Sequence, residues 1–167
     1  ITQDRALYRV VSETPDYIVI DKLPGFGFHS EGGALGVAEQ LKRDLCLDVL
    51  YPVHRLDRMT SGLLLFARTT AAAQELCEQF RLRQVDKYYL ALSERKPAKK
   101  QGLIVGDMVK ARRGCWKLAK TLSNPSRTQF FSASVQSGLR VFLLKPLTGK
   151  THQLRVALKS LGAPIIG

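Results

Sequence analysis

Strand-like and helix-like segments follow one another along this chain without strict alternation, and that order restricts the fold more than any other feature. A doubly wound parallel sheet needs a crossover, usually a helix, between successive strands. TPDYIVIDKLPG instead holds a short β-branched strand, Tyr17 to Asp21, stopped by Pro24 and Gly25. GVAEQLKRDL, Gly36 to Leu45, places Val37, Ala38, Leu41 and Leu45 on one helical face. LYPVHRL reads as a strand running into a loop at Asp57, Thr60-Ser61-Gly62 has turn chemistry, and LLLFA reads as a second, buried strand. Thr69 or Thr70 caps the next helix, striped by Ala73, Leu76, Cys77 and Phe80. KYYLAL, Lys87 to Leu92, reads as a strand, and a basic excursion without predicted regular structure then runs to Arg127. TQFFSASV and LRVFLLK form a hairpin about Gln136-Ser137-Gly138. THQLRVALKSLG is a helix with Leu154, Ala157, Leu158 and Leu161 on one face and Gly162 as its stop. The expected fold is α+β, with a mixed, largely antiparallel central sheet flanked by helices. With 167 residues and 45% hydrophobic content, one domain spanning residues 1–167 is expected.

Charge points to a class of partner. Lys and Arg number 26 against 14 Asp and Glu, a formal net charge of +12. The excess is concentrated: between Arg81 and Lys120 stand 12 basic residues, Arg112 and Arg113 among them, against Asp86, Glu94 and Asp107. Such a segment suits a polyanion, because neutralising backbone phosphates releases condensed counterions. An acidic lipid surface is the weaker reading, since no basic amphipathic helix of membrane type accompanies the charge. No apolar run approaches the roughly 18 residues of a membrane span, and ITQDRALYRV lacks the apolar core of a secretory signal. Cys46, Cys77 and Cys115 are widely spaced and odd in number, which argues against a disulfide framework and for a cytoplasmic location. Cys46 and Cys77 fall at apolar helical positions and are expected to be buried. No metal site is expected, because His29, His54 and His152 are far apart and no CxxC pair occurs.

Several nucleotide and hydrolase motifs fail on spacing. GFGFHS supplies Gly25 and Gly27, but the third glycine of a dinucleotide loop falls on Ser30. Gly149-Lys150-Thr151 resembles the end of a P-loop, yet the first glycine falls on Leu144. Ser61 has Met59 where a hydrolase elbow requires glycine.

What remains are three segments that set charged or hydroxyl side chains beside rigid apolar elements: HRLDRMTSG, KYY at Lys87 to Tyr89, and TGKTHQLR at Thr148 to Arg155. Asp57 lies between Arg55 and Arg58. A neighbouring guanidinium favours the charged form of a carboxylate, which suits covalent attack at an electron-poor carbon. The plainer reading of Asp57 is an ion pair, and of Tyr88 and Tyr89 ordinary strand packing with one ring on each face. By the same plain reading His152 is a hydrogen-bonded structural residue and Arg155 a solvated helix charge.

HRLDRMTSGLLLFA resembles the HRLDxxTSGLL pattern of RluA-type pseudouridine synthases. DKLPGFGFHS, KYYLAL and KPLTGKTHQLRVALKSLGAPIIG resemble, in order, three further segments of that family, so the likeness runs from about Tyr17 to Gly167. It implies the pseudouridine synthase catalytic fold and isomerisation of uridine in structured RNA, rRNA or tRNA, without a cofactor or metal. The family's catalytic aspartate falls on Asp57, its tyrosine on Tyr89 and the basic partner of the aspartate on Arg155. Arg55 matches the arginine that takes the place of a flipped nucleotide, and Arg58, Lys87, Lys150 and His152 are assigned with it to RNA. Leu64 and Leu154 are expected to line a dry pocket.

The departures are KLP in place of KP and Ala157 where the family often has histidine. The likeness implies a C-terminal continuation beyond Gly167; no S4-like domain is read before the catalytic segment, and a monomer is expected. The rival readings are a noncatalytic RNA-binding or remodelling module on the same scaffold and, more distantly, a DNA-binding protein.

Overall fold

The structure, a computed structural model, describes residues 7–30, 32–111 and 115–166. Arg112, Arg113 and Gly167 lie outside the described residues. Contacts divide the chain into two compact units, Ile1–Gln84 and Val85–Gly167.

The first unit contains β1 (Tyr8–Glu13), β2 (Tyr17–Lys22), α1 (Val37–Asp44), β3 (Tyr51–Pro52), β4 (Gly62–Ala67) and α2 (Thr70–Arg81). Its sheet has the order β1-β2-β4-β3, with every pairing antiparallel. Strand alternation builds the core: Ile18 faces Phe66, Ile20 faces Leu64 and Lys22 faces Gly62 across the β2–β4 ladder. Ile18, Ile20, Lys22, Leu64 and Phe66 are all fully buried. Phe28 stacks on Phe66 with ring centroids 5.8 Å apart, and Val37 and Leu41 of α1 are fully buried. Thr69 caps α2, its side chain accepting from the Ala72 N–H at 3.2 Å.

Three local expectations need correction here. LYPVHRL is strand only at Tyr51–Pro52. Pro52 brings no N–H to a ladder, and two residues later the His54 imidazole takes over, its Nε2 accepting from the Leu65 N–H at 3.2 Å. The tight turn is closed by the Thr60 N–H donating to the Asp57 carbonyl at 3.0 Å, so it centres on Arg58-Met59 and not on Thr60-Ser61-Gly62, whose glycine opens β4. Cys46 and Cys77 are exposed. Cys46 sits past the end of α1 in a left-handed conformation (φ 50°), and α2 buries only Ala73 fully, with Leu76 and Phe80 half-buried and Cys77 on the margin. Strand β1 was not anticipated because its apolar residues, Val10 and Val11, are both exposed; its pairing with β2, interrupted by an irregularity between Val10 and Ser12, carries it.

The second unit contains β5 (Tyr89–Ser93), β6 (Gln101–Lys110), β7 (Trp116–Ala119), β8 (Pro125–Gln136), β9 (Leu139–Pro146) and α3 (Gln153–Ser160). Its sheet has the order β5-β9-β8-β6-β7, again antiparallel throughout. One sheet face carries the core of Ala91, Ile104, Phe130, Phe142 and Leu144, onto which Ala157 and Leu158 of α3 pack. Helix α3 ends in a Schellman motif: Gly162 has φ 72°, its N–H reaches the Lys159 carbonyl, and the Ala163 N–H reaches the Leu158 carbonyl at 3.1 Å. The buried face of α3 is Gln153, Val156, Ala157 and Leu158, so it is turned relative to the leucine face read from the sequence. The expected hairpin is present as β8 and β9 about Ser137-Gly138.

The basic excursion is not irregular. It contains β6 and β7, held because β6 pairs with β8 from Gln101 to Asp107 and with β7 from Asp107 to Lys110. Two glycines, an aspartate and a lysine lower the strand propensity of QGLIVGDMVK, and the sheet overrides it. Gly106 makes the β6–β7 approach possible: a Cβ there would lie 2.3 Å from the Ala119 carbonyl oxygen and 2.8 Å from Leu118 Cγ. Gly106→Ala is therefore expected to push β7 from β6, lowering stability by about 1–3 kcal/mol and removing amide-exchange protection at the β6–β7 pairs. Unchanged exchange with unchanged urea stability would show that the approach tolerates a methyl group.

Candidate active site

Asp57 lies half-buried in the loop between β3 and β4, after the buried Leu56, with Arg55 and Arg58 exposed on either side. The loop is stitched to the segment that follows β2. The Gly25 N–H donates to the Arg58 carbonyl at 2.9 Å, and Arg58 Nε donates to the Gly25 carbonyl at 2.9 Å. Arg58 thus serves the loop through part of its guanidinium. His54, the first residue of HRLD, stacks on Phe80 with centroids 4.8 Å apart while bonding β4 through Leu65. Those contacts fix the start of the loop, and the residues after Gly62 are the buried strand expected behind it.

The residue that sequence reading passed over is Lys22. It continues the Ile18, Ile20 face of β2 into the core, where its stem is enclosed and its ammonium donates to the carbonyls of Leu23 at 2.9 Å, Phe26 at 3.0 Å and Arg58 at 3.1 Å. All three ammonium protons are thereby used. Burial pushes the Lys22 pKa below the ordinary lysine value, and the nearby negative charge of Asp57 opposes that shift. Lys22 therefore ties the loop after β2 to the Asp57 loop and lies within electrostatic reach of the carboxylate. The signal in the sequence was its phase, two residues after Ile20 in a strand that buries every second side chain.

In the second unit Tyr89 is half-buried and packs against the core on the same sheet face that α3 covers, together with Leu154. Tyr88, one position earlier, is exposed, with Lys145 Nζ 5.3 Å from its ring centroid and bonded to Asp86 at 2.9 Å. The two tyrosines part to opposite faces as alternation requires. Lys87 is half-buried, and burial lowers its pKa from the ordinary lysine value. Arg155 is half-buried in the first turn of α3. Leu64 belongs to the core of the first unit and Leu154 to that of the second.

The segment before α3 is tied to the turn before β8. Lys150 Nζ donates to the Asn124 carbonyl, and His152 takes a left-handed conformation (φ 56°, ψ 21°) as the residue preceding the helix, without a side-chain cap. The recess near residues 30–35, lined by Ser30, Ala34, Leu35 and Arg43, includes none of the candidate residues. Among the described residues no cluster of three His, Cys, Asp or Glu side chains has metal-binding geometry, and no helix is long and apolar enough to cross a membrane.

Residues 16–160 match the family of RNA pseudouridylate synthases. An uncharacterised RNA pseudouridine synthase of Haemophilus influenzae is 50% identical over 158 residues, which cover 95% of this chain and 70% of the relative. The dual-specificity RNA pseudouridine synthase RluA of Escherichia coli strain K12 is 34% identical over 95% of this chain and 74% of its own length. Human pseudouridylate synthase RPUSD2 is 35% identical over 95% of this chain, which spans 30% of that longer protein. Among solved structures, human RNA pseudouridylate synthase domain containing 1 superposes with a TM-score of 0.79 at 26% identity, over 99% of this chain and 70% of that one.

The chain belongs to the RNA pseudouridylate synthase family. It is an RNA pseudouridine synthase of RluA type, an isomerase acting in RNA modification, and the α+β expectation holds, as two antiparallel sheets with three helices among the described residues.

Proposed function

We propose that this chain, as one catalytic domain acting as a cytoplasmic monomer, converts specific uridines of structured rRNA or tRNA to pseudouridine with Asp57 as the nucleophile. The observation that carries the reading is the setting of Asp57: a half-buried carboxylate in a loop pinned by Lys22, Arg58 and His54. A group that must meet a sugar or base carbon in one geometry benefits from such restraint.

The reaction is balanced without a cofactor. The bond from N1 to the ribose breaks, the uracil turns over, C5 bonds to the same ribose carbon and loses its proton, and N1 ends with a proton. Asp57 acts by direct attack on the ribose or base, or by assisting elimination to a glycal-like intermediate. Arg155 serves as its cationic partner. Tyr89 stacks on the uracil and takes part in proton transfer, and Leu154 keeps water from the detached base.

A duplex-bound uridine must first leave its stack, at a cost of a few kcal/mol. Arg55, exposed beside Asp57, fills the gap. Arg58, Lys87, Lys150 and His152 contact the RNA, and the β6–β7 hairpin, with exposed Lys110, Lys117 and Lys120, adds phosphate contacts.

The test is release of tritium from RNA carrying 5-tritiated uridine, because pseudouridine formation discards the C5 hydrogen. Release from rRNA or tRNA of cells lacking the protein, with pseudouridines mapped at the same sites, is the expected result. RNA binding without release from any member of a broad RNA panel would replace the reading with the noncatalytic module.

A further inference from the structure

The residue preceding Leu154 and Arg155 is a buried carboxamide whose hydrogen-bonding capacity is fully used. Gln153 Oε1 accepts from Thr148 Oγ1 at 2.7 Å and from the Lys150 N–H at 3.1 Å. Its Nε2 donates to the Arg127 carbonyl at 3.0 Å and to Thr128 Oγ1 at 2.9 Å. Thr148 Oγ1 in turn accepts from the Arg127 N–H at 2.9 Å, so one side chain and one hydroxyl join the β9–α3 connection to the start of β8. Gln153, Thr128 and Thr148 are all buried.

We propose that Gln153 is a positioning residue for the reaction, locking the 148–152 connection and the first turn of α3 onto β8 and so fixing the backbone that carries Arg155. This inference rests on the assignment of Arg155 to the reaction. Two features call for such a lock. His152 holds a left-handed conformation, which is uncommon and costly for a residue with a side chain even though histidine visits it more often than most. Helix α3 also begins without a side-chain cap, so its start is not set by the usual local device.

Four directional bonds from one planar amide set both the rotation of α3 and its distance from β8. An apolar side chain of similar volume would fill the same space while setting neither. The buried hydrogen bonds also explain why Gln153 occupies a helix face expected to be leucine.

The experiment compares Gln153→Met, Thr148→Val and Thr148→Ser in the full chain, measuring tritium release from the 5-tritiated RNA pool and thermal unfolding. Gln153→Met is expected to lower kcat by about 100-fold, the scale of a misplacement near 1 Å, with apparent KM within about threefold. Thr148→Val is expected to lower kcat in the same direction, and Thr148→Ser, which keeps the hydroxyl, to restore it. A loss confined to KM, or a melting temperature that falls while kcat is kept, overturns the proposal. If Gln153→Met fails to fold, the Thr148 pair decides alone: valine and serine equal in kcat overturn it. Arg155→Ala separates the two levels. If it loses activity while Gln153→Met and Thr148→Val keep theirs, only the positioning role fails; if Arg155→Ala is fully active, the assignment beneath it fails too.

Discussion

Asp57→Ala and Asp57→Asn are each expected to reduce tritium release from 5-tritiated RNA by at least about 10⁴-fold, the scale seen when a covalent nucleophile is removed from an otherwise intact enzyme. RNA affinity should change little, because phosphate contacts made by basic side chains elsewhere supply most of the binding free energy. The asparagine variant is the sharper of the two. It keeps the volume of the aspartate and the backbone bond from the Thr60 N–H, and replaces one carboxylate oxygen by an uncharged amide nitrogen. Single-turnover rates measured beside filter binding separate the two effects. Wild-type release by either variant would remove Asp57 from the chemistry, whereas loss of release together with loss of binding would make it a structural ion-pairing residue.

Lys22→Met is expected to lower stability by about 3 kcal/mol, since the carbonyls of Leu23 and Phe26 lose a charged donor inside the fold. Arg58 keeps one partner, because its carbonyl still accepts from the Gly25 N–H. For a chain of this length that corresponds to a fall in Tm of roughly 6–12 °C. Activity should drop as well, by about 10- to 100-fold, because the Asp57 loop loses a tether to β2.

The pH dependence has a definite sign. Burial lowers the folded-state pKa of Lys22, so the folded protein sheds this proton at a lower pH than the unfolded chain does. Below the lowered pKa both states are protonated and the cost of burying the charge is fully present. As pH rises through the lowered pKa that cost is relieved, so the stability gained from Lys22 increases until the ordinary lysine range is reached. Lys22→Met lacks this rise. The gap between wild type and variant should therefore widen with pH in the window just below the usual lysine pKa. Urea titrations at a series of alkaline pH values measure it, and a gap that narrows there would contradict the burial argument.

The parts of the fold legible in the sequence share a physical cause. Strands β2, β4, β8 and β9 and helices α1, α2 and α3 each carry apolar residues at their own period, and the caps at Thr69 and Gly162 are local chemistry that needs no distant partner. Strands β1, β6 and β7 were not legible, because their stability comes from ladders with β2 and β8 more than from apolar content of their own. The exposure of Cys46 and Cys77 was misread for a related reason. For Cys77, helical spacing names a face but the neighbouring sheet decides how wide a stripe of it is covered, whereas α1 ends before Cys46 and takes it off the helical face altogether.

The same division holds at the candidate site. Sequence by itself determined the family, because HRLDRMTSGLLLFA and TGKTHQLR are long ordered patterns, and with it the candidates Asp57, Tyr89 and Arg155. Only the tertiary structure decided what holds them: the buried ammonium of Lys22 tying two loops together, and the buried amide of Gln153 tying α3 to β8. A lysine and a glutamine read along the chain are ordinary surface residues. They become determinants when burial strips their water and leaves backbone carbonyls, an N–H and threonine hydroxyls as the partners that can replace it.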